Sequence, residues 1–438
     1  MLERLKLFFT FYDSRFEDLT AATWKTTVYR DFSAGLIVAM TAIPMAMGFA
    51  MASGLRPEQG IIAGAMACLV GRTFGGSKYQ VYGPTAAFIP LIASLMQHYD
   101  HGFLVFVSCI SGVVLMAMGV GGLGRVAKVV PESIIVGFTV GIGVSIALAN
   151  AGDAFGYKTS LHGGLFEKLL GLTKHFAEFN PYALVIALLT FALTKGLLRI
   201  SVFIPAPLIA MGVSTGLAMT AFSDKHIVLV KDRFGSIPSN FFVFTPPALP
   251  PMTLQVGLDI VYYVAAIVFV SGVESLLCSS MADKLAENKK TPFNPDKEFW
   301  GQGIVQIVTP LLNGFPCTGA LARTATSIRA GAVTPLAGYF KGFLKLAMAY
   351  YIAQYLELIP MACIGGILLW VSTNMIKVTE IKEVVTHGRF HTALMIYTAI
   401  MVPVTDFLTG VLSALILYAI GFAYFRFTGA STSEPTHS

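Results

Sequence analysis

Residues 313–338 read Asn-Gly-Phe-Pro-Cys-Thr-Gly-Ala-Leu-Ala-Arg-Thr-Ala-Thr-Ser-Ile-Arg-Ala-Gly-Ala-Val-Thr-Pro-Leu-Ala-Gly. The stretch lies between apolar segments of membrane-spanning character, yet it is small, hydroxyl-rich and broken by Gly and Pro. It also carries Arg323 with no acid nearby in sequence. Backbone that is not regular helix survives at membrane depth only when buried in protein or lining a watery cavity. The Pro-Cys-Thr-Gly start followed by a helix-compatible run predicts a half-helix beginning near Cys317, its first amides turned into such a cavity. Free amides beside a cation make an anion site.

The rest of the chain reads as a frame for that site. Of 438 residues, 55% are hydrophobic and only 12% charged, with a mean hydropathy of +0.71. Soluble domains carry roughly 25% charged residues, so the composition is that of an integral membrane protein. The apolar residues come in blocks, at about 20 residues per spanning helix, and do not alternate as barrel strands would. The 42 Gly and 21 Pro predict closely packed and locally broken helices. Cys68, Cys109, Cys278, Cys317 and Cys363 all fall in apolar segments without a CxxC pair, which excludes a disulfide framework or zinc site and leaves buried thiols. The net charge of +6 shows no basic cluster on a polar domain, so no nucleic-acid partner is expected. Residues 1–30 show no cleavable signal and, with Arg4, Lys6, Arg15, Lys25 and Arg30, read as a cytoplasmic amphipathic segment forming a surface helix.

Apolar segments fall at about 34–52, 60–74, 84–97, 103–122, 133–151, 182–198 and 204–222. A second set falls at about 258–282, 299–312, 318–329, 334–355, 361–376, 391–405 and 407–426. The third member of each set, 84–97 and 318–329, is too short to span alone. Paired short segments in corresponding places are the sequence pointer to a repeat transporter and its central site, and an odd number per half inverts the repeats. The division is therefore a first repeat 31–222, a Pro- and Phe-rich outer connector 223–257, a second repeat 258–427 and a short cytoplasmic tail 428–438. With both ends inside, the inner loops collect Arg72, Lys78, Arg125, Lys128, Lys195, Arg199 and several lysines of 284–297, while the short outer loops hold only Arg56.

Segment three opens at residues 81–87 with Val-Tyr-Gly-Pro-Thr-Ala-Ala. Gly83 suits a tight turn and Pro84 the first helical position, after which Thr85 and Ala86 present free amides. Taken alone this is a Pro-started helix; its matched place opposite segment ten makes it half of a site. Glu274 stands deep in segment eight, where a carboxylate is costly unless protonated, paired or coordinated. Ser271 and Cys278 flank it at i−3 and i+4, giving a polar stripe for Na⁺, or Glu274 carries a coupling proton itself. The plain alternative is a structural pair with Arg323, read as one to two turns into segment ten. Arg329 reads as a structural cytoplasmic-end residue and Asp406 as an outer helix-end residue. The histidines sit in loops or at ends without ligand spacing, and no nucleophile–base, P-loop or Rossmann arrangement is present, which points away from an enzyme or a cofactor other than a coupling ion.

At these residues the chain resembles the SulP family of anion permeases, the sulfate permease and bicarbonate transporter group. Residues 31–50, with Asp31, Pro44 and Met45, are similar to the family's first-helix signature. Residues 81–85 match its third helix, 137–141 its fifth, 296–303 the run before its ninth, and 322–338 its tenth-helix hallmark. The resemblance implies an all-α membrane protein of fourteen segments in a seven-plus-seven inverted repeat, with a core domain moving against a gate domain. It implies an anion site at Thr85, Ala86, Gly319, Ala320 and Leu321, to which Met45 and Arg323 are added. In sodium-coupled bicarbonate members the helix-eight acid and a hydroxyl one turn later bind Na⁺; those positions are Glu274 and Cys278 here, with Gly319 beside them. Three departures stand out. Met45 replaces the Gln of many sulfate members, as in bicarbonate-type members. Cys278 replaces the hydroxyl, which favours a proton at Glu274. The STAS domain usual after helix fourteen does not follow within this sequence.

The expected function is secondary transport of a small inorganic oxyanion, bicarbonate or sulfate, by H⁺- or Na⁺-coupled symport with elevator-type movement. The alternatives are a dicarboxylate symporter of the same family or an uncoupled anion channel or exchanger. The expected setting is the lipid bilayer of the cell's inner or plasma membrane, multi-pass, with both termini cytoplasmic and a homodimeric assembly.

Overall fold

The computed structural model of the chain describes residues 8–124, 131–159, 161, 163–238, 242–405 and 407–428. Arg4, Lys6, Arg125, Lys128, Asp406 and residues 429–438 of the tail lie outside the described residues. Helix accounts for 74% of the chain, and the paired strands are two residues long each, so the all-α expectation holds.

A helix stands at the place of each apolar segment. The first half holds α1 (Trp24–Ala52), α2 (Pro57–Phe74), α3 (Ile89–His98), α4 (His101–Val120), α5 (Glu132–Phe155), α6 (Leu165–Lys174), α7 (Pro181–Ile200) and α8 (Ala206–Met219). After the short α9 (Val230–Phe234) come α10 (Leu254–Leu285), α11 (Pro295–Leu311), α12 (Leu321–Arg329) and α13 (Leu336–Leu356). The chain continues with α14 (Met361–Met375), α15 (Val378–Thr386), α16 (Arg389–Val404) and α17 (Phe407–Thr428). Among the described residues, α1, α4, α5, α7, α10 and the run Met361–Thr386 are long and apolar enough to cross a membrane. Side-chain caps set several starts: Asp100 accepts from Phe103 N–H at 2.9 Å, Thr253 from Val256 N–H at 3.2 Å, and Asn294 from the amides of Asp296 and Lys297 at 3.0 Å.

The helices pack in two groups. In one, α1 lies on α2 and α13, α2 on α11 and α13, α4 on α10 and α11, and α12 on α1 and α10. In the other, α5 lies on α14 and α16, α7 on α8 and α14, and α16 on α17; α1 touches α14 and α8 and so joins the two. Small residues permit the closest approaches. A Cβ on Gly112 of α4 would stand 2.5 Å from the Gly303 carbonyl of α11, and a Cβ on Gly303 as close to the Gly112 carbonyl.

Two stretches outside the long helices carry structure of their own. The segment at 1–30 is not one surface helix in its described part: a 3₁₀ turn at Ser14–Phe16 precedes α1, which starts at Trp24 and runs unbroken past residue 31. Arg15 is the reason the turn folds inward, since its guanidinium bonds Asp13 and the Arg72 and Gly75 carbonyls. The connector 223–257 carries α9 and is stitched to the α13–α14 turn by Val230 N–H to Ile359 O and Met361 N–H to Val228 O, both 2.8 Å. Its residues 239–241 lie outside the described set.

Candidate anion site

The two half-helices start side by side because their approaches pair. Strand β1 (Tyr82–Gly83) runs antiparallel to β2 (Thr318–Gly319), with Tyr82 opposite Gly319 and Gly83 opposite Thr318. Ala320 N–H extends the ladder to the Val81 carbonyl at 2.9 Å, and Val81 N–H donates to the Thr324 hydroxyl at 2.8 Å. This pairing moves both helix starts downstream. Pro84 is not the first helical residue: Thr85 is extended (φ −123°, ψ 157°), and a 3₁₀ turn at Ala86–Phe88 leads into α3. Likewise α12 starts at Leu321 rather than near Cys317, with Ala320 as its cap, so Arg323 lies in the first turn and not one to two turns in. The physical cause is that residues committed to a ladder cannot also begin a helix.

Thr85, Ala86, Ala320 and Arg323 are thereby brought together, each 5–8% exposed. Gly319 is buried within β2, and Leu321 is half-buried at the start of α12. Met45 is half-buried beside Pro44 inside α1, which packs on both α3 and α12. Arg323 donates from Nη2 to the Pro84 carbonyl, while its buried Nη1 has no hydrogen-bond partner among the described residues. A Cβ on Gly83 would stand 2.9 Å from that Nη1, so only glycine lets the guanidinium lie against the β1 backbone. Gly83 also has φ 154°, near the edge of what L residues adopt. A buried charged donor left unpaired is costly and calls for a ligand. The chemistry that satisfies a guanidinium nitrogen beside two helix starts is an oxyanion.

Glu274 sits at the seam between the helix groups, facing Ile134, Ile135 and Phe138 of α5 and Val411 of α17. It does not pair with Arg323, and no ion pair between the two occurs among the described residues. Instead the Thr85 hydroxyl donates to Glu274 Oε2 at 2.8 Å, and the Arg323 fork is turned to the Pro84 carbonyl. The flanking stripe is already engaged. Ser271 Oγ accepts from Gln306 Nε2 at 2.5 Å, its carbonyl accepts from the Thr318 hydroxyl at 3.2 Å, and Cys278 Sγ lies 3.3 Å from Thr324 Oγ1. For Na⁺ the set Glu274, Cys278 and Gly319 offers one carboxylate, backbone carbonyls and a soft thiol, a poor match to a hard cation. No group of three or more His, Cys, Asp or Glu able to hold a metal ion occurs among the described residues.

Several residues at this centre have no place in the sequence reading. Gln302 and Gln306, one turn apart on α11, both donate to the Cys317 carbonyl and fix the approach to β2. Lys341 and Lys345 of α13 are buried behind β1, with Lys341 Nζ donating to the Tyr82 carbonyl at 2.8 Å. Their signal was available: two lysines at i and i+4 inside an apolar segment.

The profile of the Sulfate permease family matches residues 28–398. The Bacillus subtilis protein named "Putative sulfate transporter YvdB" is 31% identical over 394 residues, covering 90% of this chain and 73% of that one. The "Bicarbonate transporter BicA" of Picosynechococcus sp. is 26% identical over 389 residues, covering 85% of this chain and 66% of that one. Among solved structures, the transmembrane domain of a cyanobacterial bicarbonate transporter BicA superposes with a TM-score of 0.78 at 24% identity, over 89% of this chain and 97% of that one. The structure of SLC26A9 does so with 0.80 at 17% identity, over 91% of this chain and 66% of that one. At those identities the superpositions establish the fold, and the family match establishes the rest: this chain belongs to the sulfate permease family, whose members are multi-pass membrane anion transporters and not enzymes.

Proposed function

We propose that this protein is a secondary active transporter that carries a small inorganic oxyanion, bicarbonate or sulfate, between the starts of α3 and α12. The observation that carries this reading is the buried Nη1 of Arg323, without a hydrogen-bond partner among the described residues, at the point where the two half-helices meet. The anion takes that donor together with the free amides beyond Thr85 and Ala320. Ala86, Gly319, Ala320 and Leu321 leave room for it, and Met45 supplies an apolar wall.

Coupling runs through Glu274. In the ionised form its carboxylate holds the Thr85 hydroxyl. Once a cation neutralises it, the hydroxyl hydrogen turns to the anion instead. A proton does this without further ligands, and the soft Cys278 thiol favours H⁺ over Na⁺. The helix group of α1–α4 and α10–α13 serves as the moving core, and the group of α5, α7, α8, α14, α16 and α17 as the gate. Each group draws helices from both halves of a seven-plus-seven inverted repeat (31–222 and 258–427), fourteen segments around the connector 223–257. The N-terminal segment and the tail 428–438 are cytoplasmic, the membrane is the inner or plasma membrane, and the assembly is a homodimer.

The test is uptake of labelled bicarbonate, sulfate and fumarate into proteoliposomes under a proton gradient, a Na⁺ gradient or none, for the native chain and Glu274→Gln. Accumulation of one inorganic anion under one gradient, lost in Glu274→Gln with exchange retained, is the expected result. Accumulation of fumarate alone would replace the substrate. Flux that ignores both gradients would overturn coupling and leave an uncoupled channel or exchanger.

A further inference from the structure

Arg323 is not the only cation at the centre. Lys341 and Lys345 are 1% and 0% exposed on α13, and neither meets a carboxylate within ion-pair distance among the described residues. Lys341 Nζ donates to the carbonyls of Tyr82 at 2.8 Å and Gly64 at 3.5 Å, and Lys345 Nζ to that of Gly60 at 3.3 Å. The positions converge on one point of backbone. A Cβ on Gly64 would overlap the Lys345 ammonium and stand 3.2 Å from Pro84 Cδ, and a Cβ on Gly83 would stand 3.5 Å from Gly64 Cα. Lys341, Lys345 and Arg323 therefore crowd behind the Gly83–Pro84 turn that feeds α3. Against these three stands Glu274 on the far side of Thr85. Glu298, a fully buried acid nearby, is committed to the hydroxyl end of Tyr82 and to the Gly76 and Ser77 amides.

Two lysine side chains one helical turn apart, held among the described residues by backbone carbonyls alone, are a costly way to peg helices together, since an apolar residue fills the same space, and an anion bound beside them is what favours their protonated, ammonium form. Their field reaches the neighbouring turn through packed protein, which screens it less than water would. We infer that Lys341 and Lys345 are specificity-determining residues whose charge, added to that of Arg323, makes this site prefer a doubly charged oxyanion over a singly charged one. This rests on the anion site lying at the half-helix starts. It concerns the charge the site selects, with sulfate the inorganic example of the favoured class and bicarbonate of the disfavoured one.

Coulomb energy is linear in the charge of the anion. Removing one lysine therefore multiplies the loss of affinity for a dianion by itself relative to a monoanion: about threefold for bicarbonate becomes about tenfold for sulfate, and about tenfold becomes about a hundredfold. The experiment is the KM for sulfate and for bicarbonate in the native chain, Lys345→Met, Lys341→Met and Lys345→Arg, together with the thermal midpoint of each in detergent. The expected result is a fall in the sulfate-to-bicarbonate preference in both Met variants, its retention in Lys345→Arg, and a midpoint in Lys345→Met that is unchanged or raised. Equal loss for both anions, or a lowered midpoint with the preference intact, would make the lysines structural pegs and overturn the inference. If Lys341→Met fails to fold, Lys345→Met decides, because among the described residues Lys345 Nζ makes one hydrogen bond, the long one to Gly60. The native chain's own gradient-driven uptake separates the two readings: if it carries neither anion, the transporter proposal fails, whereas unchanged preference in the variants with native transport intact sinks only the lysine inference.

Discussion

Beneath the turn from α2 to β1, Lys297 donates to Asp13 at 2.6 Å, Arg15 to the same carboxylate at 2.8 Å, and Lys78 to Asp18 at 2.5 Å. There too Glu298 takes the amides of Gly76 and Ser77 at 2.9 and 3.1 Å, Gln80 Nε2 and the Tyr82 hydroxyl at 2.8 Å, and the Ser275 hydroxyl at 2.6 Å. At the other end of Tyr82, the hydrogen bonds of Arg323, Lys341 and Lys345 among the described residues go to backbone carbonyls, and that of Glu274 to the Thr85 hydroxyl. The first region meets its charges with ion pairs or with several neutral donors, though Arg15 Nη2 and Arg72 Nε stay without a hydrogen-bond partner among the described residues; the second meets them with backbone carbonyls and one hydroxyl. Buried charge satisfied in place holds a shape, whereas buried charge left open is a binding function waiting for its counter-ion. A single residue separates the two regimes, since the Tyr82 hydroxyl belongs to the first and the Tyr82 carbonyl to the second.

The sharpest way to break this contrast is Arg323→Gln. Losing a charged donor costs about 1.5–3 kcal/mol of anion binding, so kcat/KM in proteoliposome uptake should fall about a hundredfold while the thermal midpoint stays near native. A variant that transports normally would show the open charge to be idle. Glu298→Ala should do the reverse. Stripping the acceptor from five donors should cost about 3 kcal/mol of stability, seen as a lowered midpoint in detergent, with the KM of the folded fraction unchanged. Next in size is Thr85→Val, which removes one hydroxyl at the junction of the proposed cation and anion sites and should raise the anion KM about fivefold. An unaltered KM would take Thr85 out of the site.

The smallest effect belongs to the N-terminal strap. Burial raises the Asp13 carboxyl, but the hydrogen bonds and charges of Arg15 and Lys297 outweigh it and hold its pKa below the ordinary 3.8. A depressed carboxylate contributes stability at neutral pH and loses it as pH falls from the ordinary carboxylate range through the folded value. Hydrogen exchange over residues 8–18 should therefore quicken as pH drops toward about 3, by about 1 kcal/mol in local opening, after correction for intrinsic rates. In Asp13→Asn it should be fast already at neutral pH and lack that dependence. A pH dependence surviving in Asp13→Asn would assign it to another acid.

Much of the candidate site was readable in one dimension. The shortness of 84–97 and 318–329, the Gly and Pro at their starts and the lone acid at 274 are local properties, and each marks a real feature of the centre. The exact helix starts were not readable, because β1 and β2 compete for the same residues and neither strand is visible until the other is beside it. Nor was the choice of partner for Glu274. Arg323 is the obvious counter-charge in sequence, yet Thr85 takes the carboxylate and the Pro84 carbonyl takes the guanidinium. Lys341 and Lys345 were visible as charges in an apolar segment but had no meaning until α13 lay against α2 and β1.

The sequence by itself determined the membrane class, the helical segments with their two broken members, and the family, because hydropathy and Gly/Pro punctuation act over a helix length or less. Tertiary structure alone decided which charges are satisfied and which stay open. Those pairings join residues 189 and 239 positions apart, as between Thr85 and Glu274 or Pro84 and Arg323. In a low-dielectric interior the state of a charge depends on the few atoms that reach it, and only the packed chain brings those atoms within reach.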